Sequence, residues 1–542
     1  MKVIYTCALL WACCLSVSAQ YIDPIWARHD IAEGSSFYGV PLVLLDSSQN
    51  PVVCNNDSNS GPLNAFLTTK YDAAGNRLWQ RKFDTSSTDL VMSCVSDNQD
   101  AVYVGGSTGQ NSILGAIPSS IVIKYASNGD SLWAYYFNSP TAGASYGAKL
   151  HLDSASNLLV FGLYGDTVAV KTGLFATKLS PDGQVVWSAT YTDPKYSIGG
   201  MQDGGTARWT GDRWVYWGRS PEGQGYRYIC WQIGPDGQTL AGAVTELDTA
   251  NGVWTQLVDK AGNLLAGGNG KYRVVKYAPS GQKLWEYHKP NSSPSPFIVP
   301  ARISCIESTD EDEVYISGSF RIDSIGPTIL TTKLNAATGA MLWGHSFVWG
   351  GIPAAFPNKI IWINQDAFLM VGAISFSLDS NFYEFFLAVY NRDGFVSVGV
   401  TDLDGRRNSP TSLALQSPYL YVAGYVGGNT VAEPQRQVLC KYLMNDIVST
   451  RNPASPAKLL SLALWPNPAA DWVRVGLPEE NGIKAGGWLE LTDMTGRVLR
   501  THRIPASTSF YDLSLEGIPS GTYVMLLRQN GQPTHIGRVV KK

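Results

Sequence analysis

Apolar and polar positions along this chain recur with a long period. A basic residue and an aromatic or aliphatic neighbour precede a short turn with Gly, and an apolar residue and Trp follow it. The pattern reads Lys70-Tyr71, Gly75, Leu78-Trp79, then Lys124-Tyr125, Gly129, Leu132-Trp133, then Lys178-Leu179, Gly183, Val186-Trp187. Edited copies follow at Gln232-Ile233 with Gly237 and Leu240, at Lys276-Tyr277 with Gly281 and Leu284-Trp285, and at Lys333-Leu334 with Gly339 and Leu342-Trp343. The last two are Val389-Tyr390 with Gly394 and Val398, and Lys441-Tyr442. Successive copies lie 54, 54, 54, 44, 57, 56 and 52 residues apart. Between them run two further apolar segments, the first ending at a turn former and the second near Gly, as in Leu150 to Asp153 with Leu158 to Gly162. Four short apolar runs per unit, separated by turn chemistry, predict four strands, and a fixed period of this length predicts a repeat architecture. No helical period or heptad competes with that reading.

Four-stranded units in series predict an all-β propeller of eight blades over residues 20–449. Seven blades is the alternative if the short fourth interval conceals a degenerate unit. Ile25-Trp26 supplies a Trp strand before the first full copy, while the eighth copy stops after Lys441-Tyr442 without one. An N-terminal strand is therefore expected to complete the last blade and close the ring, which removes exposed sheet edges.

Composition supports the β reading and narrows the setting. Charged residues make up only 16% of the 542, while 54 Gly and 17 Trp suit turns and a packed β core. A net charge of -3 gives no general pull toward nucleic acid. Lys2, the apolar run Val3 to Leu15 and Val17-Ser18-Ala19 read as a signal peptide over residues 1–19. No later run is long enough to predict a transmembrane segment. Five cysteines lie beyond the leader, Cys54, Cys94, Cys230, Cys305 and Cys440. An odd number in an exported chain implies a free thiol, and no disulfide framework is indicated.

Residues 450–463, with Asn452-Pro453 and Ser455-Pro456, read as a linker. Beyond it, strand-like runs such as Trp472 to Val475, Trp488 to Leu491 and Thr522 to Leu527 predict a small immunoglobulin-like β-sandwich over 464–542. Three ordered motifs stand in this stretch: Leu464-Trp465-Pro466-Asn467-Pro468-Ala469, Leu491-Thr492-Asp493-Met494-Thr495-Gly496-Arg497-Val498, and Leu515 with Gly521-Thr522-Tyr523-Val524 before a basic end at Lys541-Lys542. On these residues the stretch resembles the C-terminal sorting domain of the type IX secretion system, with Trp465 where that family more often has Tyr or Phe. The resemblance implies Pro466, Asn467, Pro468, Asp493, Gly496, Arg497, Gly521, Tyr523, Lys541 and Lys542 as the sorting motif. It also implies a translocon and a sortase as partners, and release or attachment at the outer cell surface. Asn335 to Trp343 looks like the docking motif of quinoprotein-dehydrogenase-like eight-bladed propellers, and strand ends such as Phe161-Gly162 are similar to bacterial surface propeller repeats. Both imply the fold.

Candidate chemistry is sparse. Turns joining the first two and the last two strands of a unit are short. The other connections, such as Asn55 to Asn64 and Pro290 to Pro300, are long and variable, and in a propeller they emerge on one face. A site is expected there, around the channel mouth. The fourth unit lacks its Trp, Ala241 standing in that place, yet it carries Arg208, Trp209, Arg213, Trp214, Trp217, Arg219, Arg227 and Trp231. Trp faces and Arg forks suit a sugar or an acidic polymer. Core packing is the competing use, since Trp217 aligns with apolar strand positions such as Val104. Arg208, Trp209 and Arg227, with Trp254, Trp349 and Tyr146, are the ligand-binding candidates. Gly143-Ala144-Ser145-Tyr146-Gly147 mimics a nucleophile elbow, but a following helix is needed and none is apparent. The six histidines show no metal spacing, and Asp57 to Gly61 and Asp402 to Gly405 lack the full ligand series of a calcium loop. No catalytic residue, metal or cofactor is predicted. The expectation is a secreted or cell-surface propeller that binds a glycan or a protein. The alternatives are an enzyme acting on polysaccharide or using a quinone cofactor, and a structural surface protein.

Overall fold

The repeated phrase folds as the outer half of a four-stranded antiparallel sheet. Its basic residue lies on the third strand and its Trp directly opposite on the fourth, Lys70 facing Trp79, Lys124 facing Trp133, Lys178 facing Trp187 and Lys276 facing Trp285. The computed structural model describes residues 15–542 except 17–19, 30–40, 58–63, 86, 111–116, 142, 167–169, 200–204, 224, 250–252, 269, 291–300, 310–312, 323–325, 349–353, 376–382, 402, 404–407, 428–435, 445–459, 477–486, 494–497, 505–509 and 530–531. The described residues are all-β. The chain divides into two compact units, Met1–Val448 and Ser449–Lys542.

The described residues of the first unit form eight sheets. Seven are built from consecutive strands, the first of them from Leu42–Leu45, Pro51–Asp57, Ala65–Tyr71 and Arg77–Phe83. The eighth holds Ser409–Gln416, Tyr419–Val426 and Arg436–Leu443, and its fourth strand is Trp26–Arg28 from the other end of the chain, with Trp26 opposite Lys441. Two further segments add in parallel, Leu15–Ser16 beside Met341–Val348 and Gln20–Tyr21 beside Gly394–Thr401. The strand Pro51–Asp57 runs on into the Asn55 to Asn64 stretch whose sequence reads as loop.

The first strands of the sheets form an inner lining. They are Leu42–Leu45, Thr88–Ser96, Ser145–Leu152, Thr206–Trp209, Val253–Val258, Arg302–Ser308, Ala354–Asn364 and Ser409–Gln416. Side-chain bonds tie neighbours together: Ser96 Oγ to the Leu45 carbonyl at 3.1 Å, Arg208 Nη1 to that of Val258 at 3.2 Å, and Asn358 Nδ2 to that of Pro410 at 2.6 Å. Sheet eight meets sheet one in the same manner, the Val43 amide donating to Ser412 Oγ at 3.0 Å. Asn55 and Gln437 hydrogen-bond across the same junction.

Outside the lining, each Trp docks on the next sheet. Its indole N–H donates to a carbonyl in the neighbouring turn, Trp79 to Ser127 at 2.9 Å, Trp133 to Pro181 at 3.1 Å, Trp187 to Pro235 at 3.0 Å, Trp285 to Ala336 at 2.8 Å and Trp343 to Arg392 at 2.8 Å. The paired Lys reaches the same carbonyl, as Lys124 does to Pro181 and Lys276 to Ala336. That ammonium is also neutralised by an acid of its own sheet, Asp46 for Lys70, Asp153 for Lys178, Asp259 for Lys276 and Glu313 for Lys333. The indole covers the turn glycine closely. A Cβ on Gly129, at φ +88°, would lie 2.8 Å from the Trp79 ring, so this turn takes glycine both for its dihedral and for the approach.

The fourth sheet replaces its missing Trp with interior aromatics. Ala241 faces Gln232, which reaches toward the Pro279 carbonyl at 3.5 Å. Trp217 and Trp231 are fully buried, and the Trp217 indole donates to the Gly262 carbonyl at 3.0 Å. Core packing therefore takes most of the aromatics of this unit.

The second unit has a five-stranded and a three-stranded sheet around Leu489, Leu491, Val473, Val475 and Met525. Its strands begin at Leu460, inside the stretch whose sequence reads as linker. Asn467 clamps the last strand, donating from Nδ2 to the Arg538 carbonyl at 2.6 Å and accepting the Val540 amide at 2.9 Å. The Tyr523 hydroxyl donates to the Pro519 carbonyl at 2.7 Å, and Lys541 Nζ to that of Leu515 at 2.7 Å. Gly496 and Arg497 lie outside the described residues.

Trp26→Ala is expected to lower stability by about 3 kcal/mol, the scale of a large aromatic deletion at a packed contact. It removes the ring over the first sheet's turn and the indole bond to the Ala73 carbonyl. Urea denaturation measures this, and an unchanged midpoint would show that the junction does not depend on that strand.

Candidate functional site

Each inner strand begins at the end of its sheet where the long connections emerge. Most carry a bulge within their first residues, with register shifts at Tyr146/Lys149, Val253/Thr255, Ile303/Cys305, Pro357/Lys359 and Pro410/Ser412. The cause lies on the second strand. A Cβ on Gly318 would sit 1.8 Å from the Arg302 carbonyl oxygen, and one on Gly372 2.2 Å from that of Phe356. Glycine at these places lets the inner strand bow onto its neighbour, and a bulge re-aims the side chains beside it. Trp254 is the extra residue of its bulge, has no partner across the ladder, and is 54% exposed.

Three such strands in succession bring Trp254, Arg302 and Phe356 together. The guanidinium carbon of Arg302 lies 4.3 Å from the Trp254 ring centroid and 4.9 Å from that of Phe356. Phe356 in turn lies 6.1 Å from Tyr383. Burial pulls the Arg302 guanidinium below its ordinary pKa, and its Nε is buried with no hydrogen-bond partner. Asn408, just before the next inner strand, donates its backbone amide to the Tyr383 carbonyl at 3.0 Å. Its side chain is buried, and neither polar atom has a hydrogen-bond partner. A flat aromatic face, a cation and an unused amide thus share one rim.

The remaining sequence candidates do not converge there. Arg208 lies farther along the lining, and with Lys359 it pulls down the pKa of Glu307, which burial pushes up. Trp209 sits at the short-turn end of its strand, 5.6 Å from Trp214. Arg227 lies on the third strand of its sheet, paired with Glu222 at 2.5 Å and 5.0 Å from the Tyr196 ring. Tyr146 stands at the rim, half-buried against the hydrophobic core of its sheet and the next. Trp349 lies outside the described residues. Arg302 and Phe356 are the rim residues that sequence reasoning missed. The available signal was the glycine closing the second strand, which marks where the first strand must bulge.

Ser145 of the elbow-like sequence belongs to the continuous strand Ser145–Leu152 and accepts the Ser120 amide at 2.7 Å. Among the described residues no three His, Cys, Asp or Glu side chains gather as a metal site. All five cysteines are free, and burial pushes the Cys305 and Cys440 thiols up to about 12. The Cys305 and Cys440 thiols remain protonated at neutral pH.

With the geometry in place, comparison with known proteins adds one assignment. Residues 463–542 match the secretion system C-terminal sorting domain. This sorting domain indicates export through the type IX secretion system. No curated protein matches the chain. Among solved structures, it is similar to a quinohemoprotein alcohol dehydrogenase from Pseudomonas putida HK5, at 10% identity and TM-score 0.45 over 83% of this chain and 81% of that one. It is also similar to the quinohemoprotein alcohol dehydrogenase from Comamonas testosteroni, at 10% identity and TM-score 0.46 over 78% and 77%. A protein of unknown function from Bacteroides caccae matches at 11% identity and TM-score 0.27 over 57% of this chain and 93% of that one.

His151, on the inner strand beside Tyr146, gives a pH signature. Its ring lies 5.7 Å from Phe161 and 5.3 Å from Trp214, and burial, with Lys149 nearby, lowers its pKa to about 4. The folded protein keeps this ring neutral while the unfolded chain protonates it near 6.5. Its contribution is therefore present above that value and lost as pH falls toward 4. His151→Phe is expected to flatten the fall in stability between those limits, measured as the denaturation midpoint against pH.

Proposed function

We propose that this chain is an exported eight-bladed propeller that binds a macromolecule, a glycan or a protein, at the loop-rich mouth of its channel. In this reading Trp26–Arg28 closes the ring, residues 1–19 are a leader removed during export to the periplasm, and residues 464–542 address the chain to the translocon and sortase of the type IX system. The protein is then released or held at the cell surface. The observation that carries the binding reading is the exposed Trp254 ring with the Arg302 guanidinium over it, the same guanidinium lying over Phe356. An aromatic face of this size held at a rim costs solvation that a bound ligand recovers. The unused amide of Asn408 supports the same place. The reading assigns no cofactor and no catalytic residue.

A screen of the purified protein against glycan and surface-protein arrays, with product analysis of every hit, tests it. Trp254→Ala is expected to weaken binding by about tenfold or more, the scale of one lost stacking contact. Turnover of a hit would replace the binding reading with an enzymatic one.

Deletion of residues 464–542 is expected to leave a folded propeller in the periplasm. Surface delivery of that truncation, followed by fractionation, would remove the address function from this segment.

A further inference from the structure

Among the described residues Arg302 has no counter-ion. Its guanidinium lies over both the Trp254 and the Phe356 rings, its Nε is buried without a hydrogen-bond partner, and among the described residues no carboxylate pairs with it. The basic residues packed deeper between the sheets are treated otherwise: Lys70, Lys178, Lys276 and Lys333 each hold an acid of their own sheet. A half-buried charge without a partner is costly, and an anion arriving from outside offsets that cost.

The lining carries the same sign. Its described strands hold four cations, Lys149, Arg208, Arg302 and Lys359, against two carboxylates, Asp89 and Glu307. Asp89 is fully buried and takes hydrogen bonds from the Thr85 hydroxyl and amide at 2.5 and 3.1 Å, so it presents little charge to the channel. This lining is positive in a chain whose net charge is -3. Low-dielectric walls focus such a field toward the mouth.

Resting on the binding reading above, we infer that the mouth recognises an acidic polysaccharide, with Arg302 as the fork for a carboxylate or sulfate group and the free face of Trp254 as the platform for a sugar ring. Planar oxyanions match the guanidinium donors, and the two flanking rings hold the fork in one orientation. A polysaccharide fits better than an acidic protein segment because Trp254 offers a flat, open face beside the cation, which suits the C–H surface of a pyranose.

The test uses the full mature protein and three polymers: polygalacturonate for carboxylate, dextran sulfate for sulfate, and dextran as the neutral control. Binding is read by calorimetry at two salt concentrations. The expected result is that one or both anionic polymers bind, dextran does not, and added salt weakens the complex. Arg302→Met keeps the stacked stem and removes the charge, and it is expected to weaken binding by about tenfold or more, the scale of a lost charge-assisted hydrogen bond. If that variant fails to fold, Arg302→Lys keeps the charge without the fork, and its affinity should fall below that of the unaltered protein. Stronger binding of polygalacturonate assigns a carboxylate, and stronger binding of dextran sulfate a sulfate. Equal binding of dextran, unchanged affinity in a folded Arg302 variant, or no binding of either anionic polymer overturns the inference. A neutral glycan or protein hit abolished by Trp254→Ala would leave the binding reading standing while the acidic specificity fell.

Discussion

The contact on which the first unit depends is the docking of one sheet's Trp and Lys on a single carbonyl in the next sheet's turn. For Trp285 and Lys276 that acceptor is the Ala336 oxygen, at 2.8 and 2.9 Å. The arrangement satisfies three groups at once. The buried indole finds its acceptor, the turn carbonyl gains two donors, and the ammonium is neutralised by Asp259 at 2.8 Å. Removing any member leaves another buried polar group without a partner, which costs more than the contact itself contributes. Because the same geometry recurs at the periphery, it fixes the spacing of the sheets and with it the proximity of their inner strands. The lining is a consequence of contacts made far from it.

That constraint explains why so much of the fold is legible in the sequence. The docking partners lie at nearly fixed separations, so the repeat writes itself into the chain as a phrase with a turn glycine in register. The exception is equally physical. Ala241 breaks the phrase, and Trp217 restores the lost volume from the second strand, reaching Gly262 instead of the outer turn. The unusual density of Trp in that unit reads as binding chemistry or as core repair, and the structure assigns most of it to the core.

The rim was less legible, again for a reason. Trp254, Arg302 and Phe356 belong to three different sheets, and no sequence offset ties a residue at one bulge to a residue at the next. Conversely, Arg208 and Trp209 are neighbours in sequence and part in space, since successive side chains of a strand point to opposite faces. Proximity in the chain therefore suggested a cluster where the strand geometry disperses one. Gly318 and Gly372 held the missing information, because a glycine facing an inner strand marks where that strand bows.

Stability and recognition are consequently placed on different parts of the same sheets. The docking contacts lie on the third and fourth strands and fill the spaces between sheets, where Lys70, Lys124, Lys178, Lys276 and Lys333 are paired with acids and the indoles are bonded to turn carbonyls. The rim lies at the first strand's bulge, where Trp254 has no ladder partner and, among the described residues, Arg302 no acid. A side chain at the rim can change without altering any indole–carbonyl bond, so long as the glycine behind it keeps the bulge. By the same logic the described contacts that hold the Arg302 guanidinium are two rings, with no carboxylate among the described residues. Its charge is thereby left available, whereas the lysines between the sheets have spent theirs on the fold.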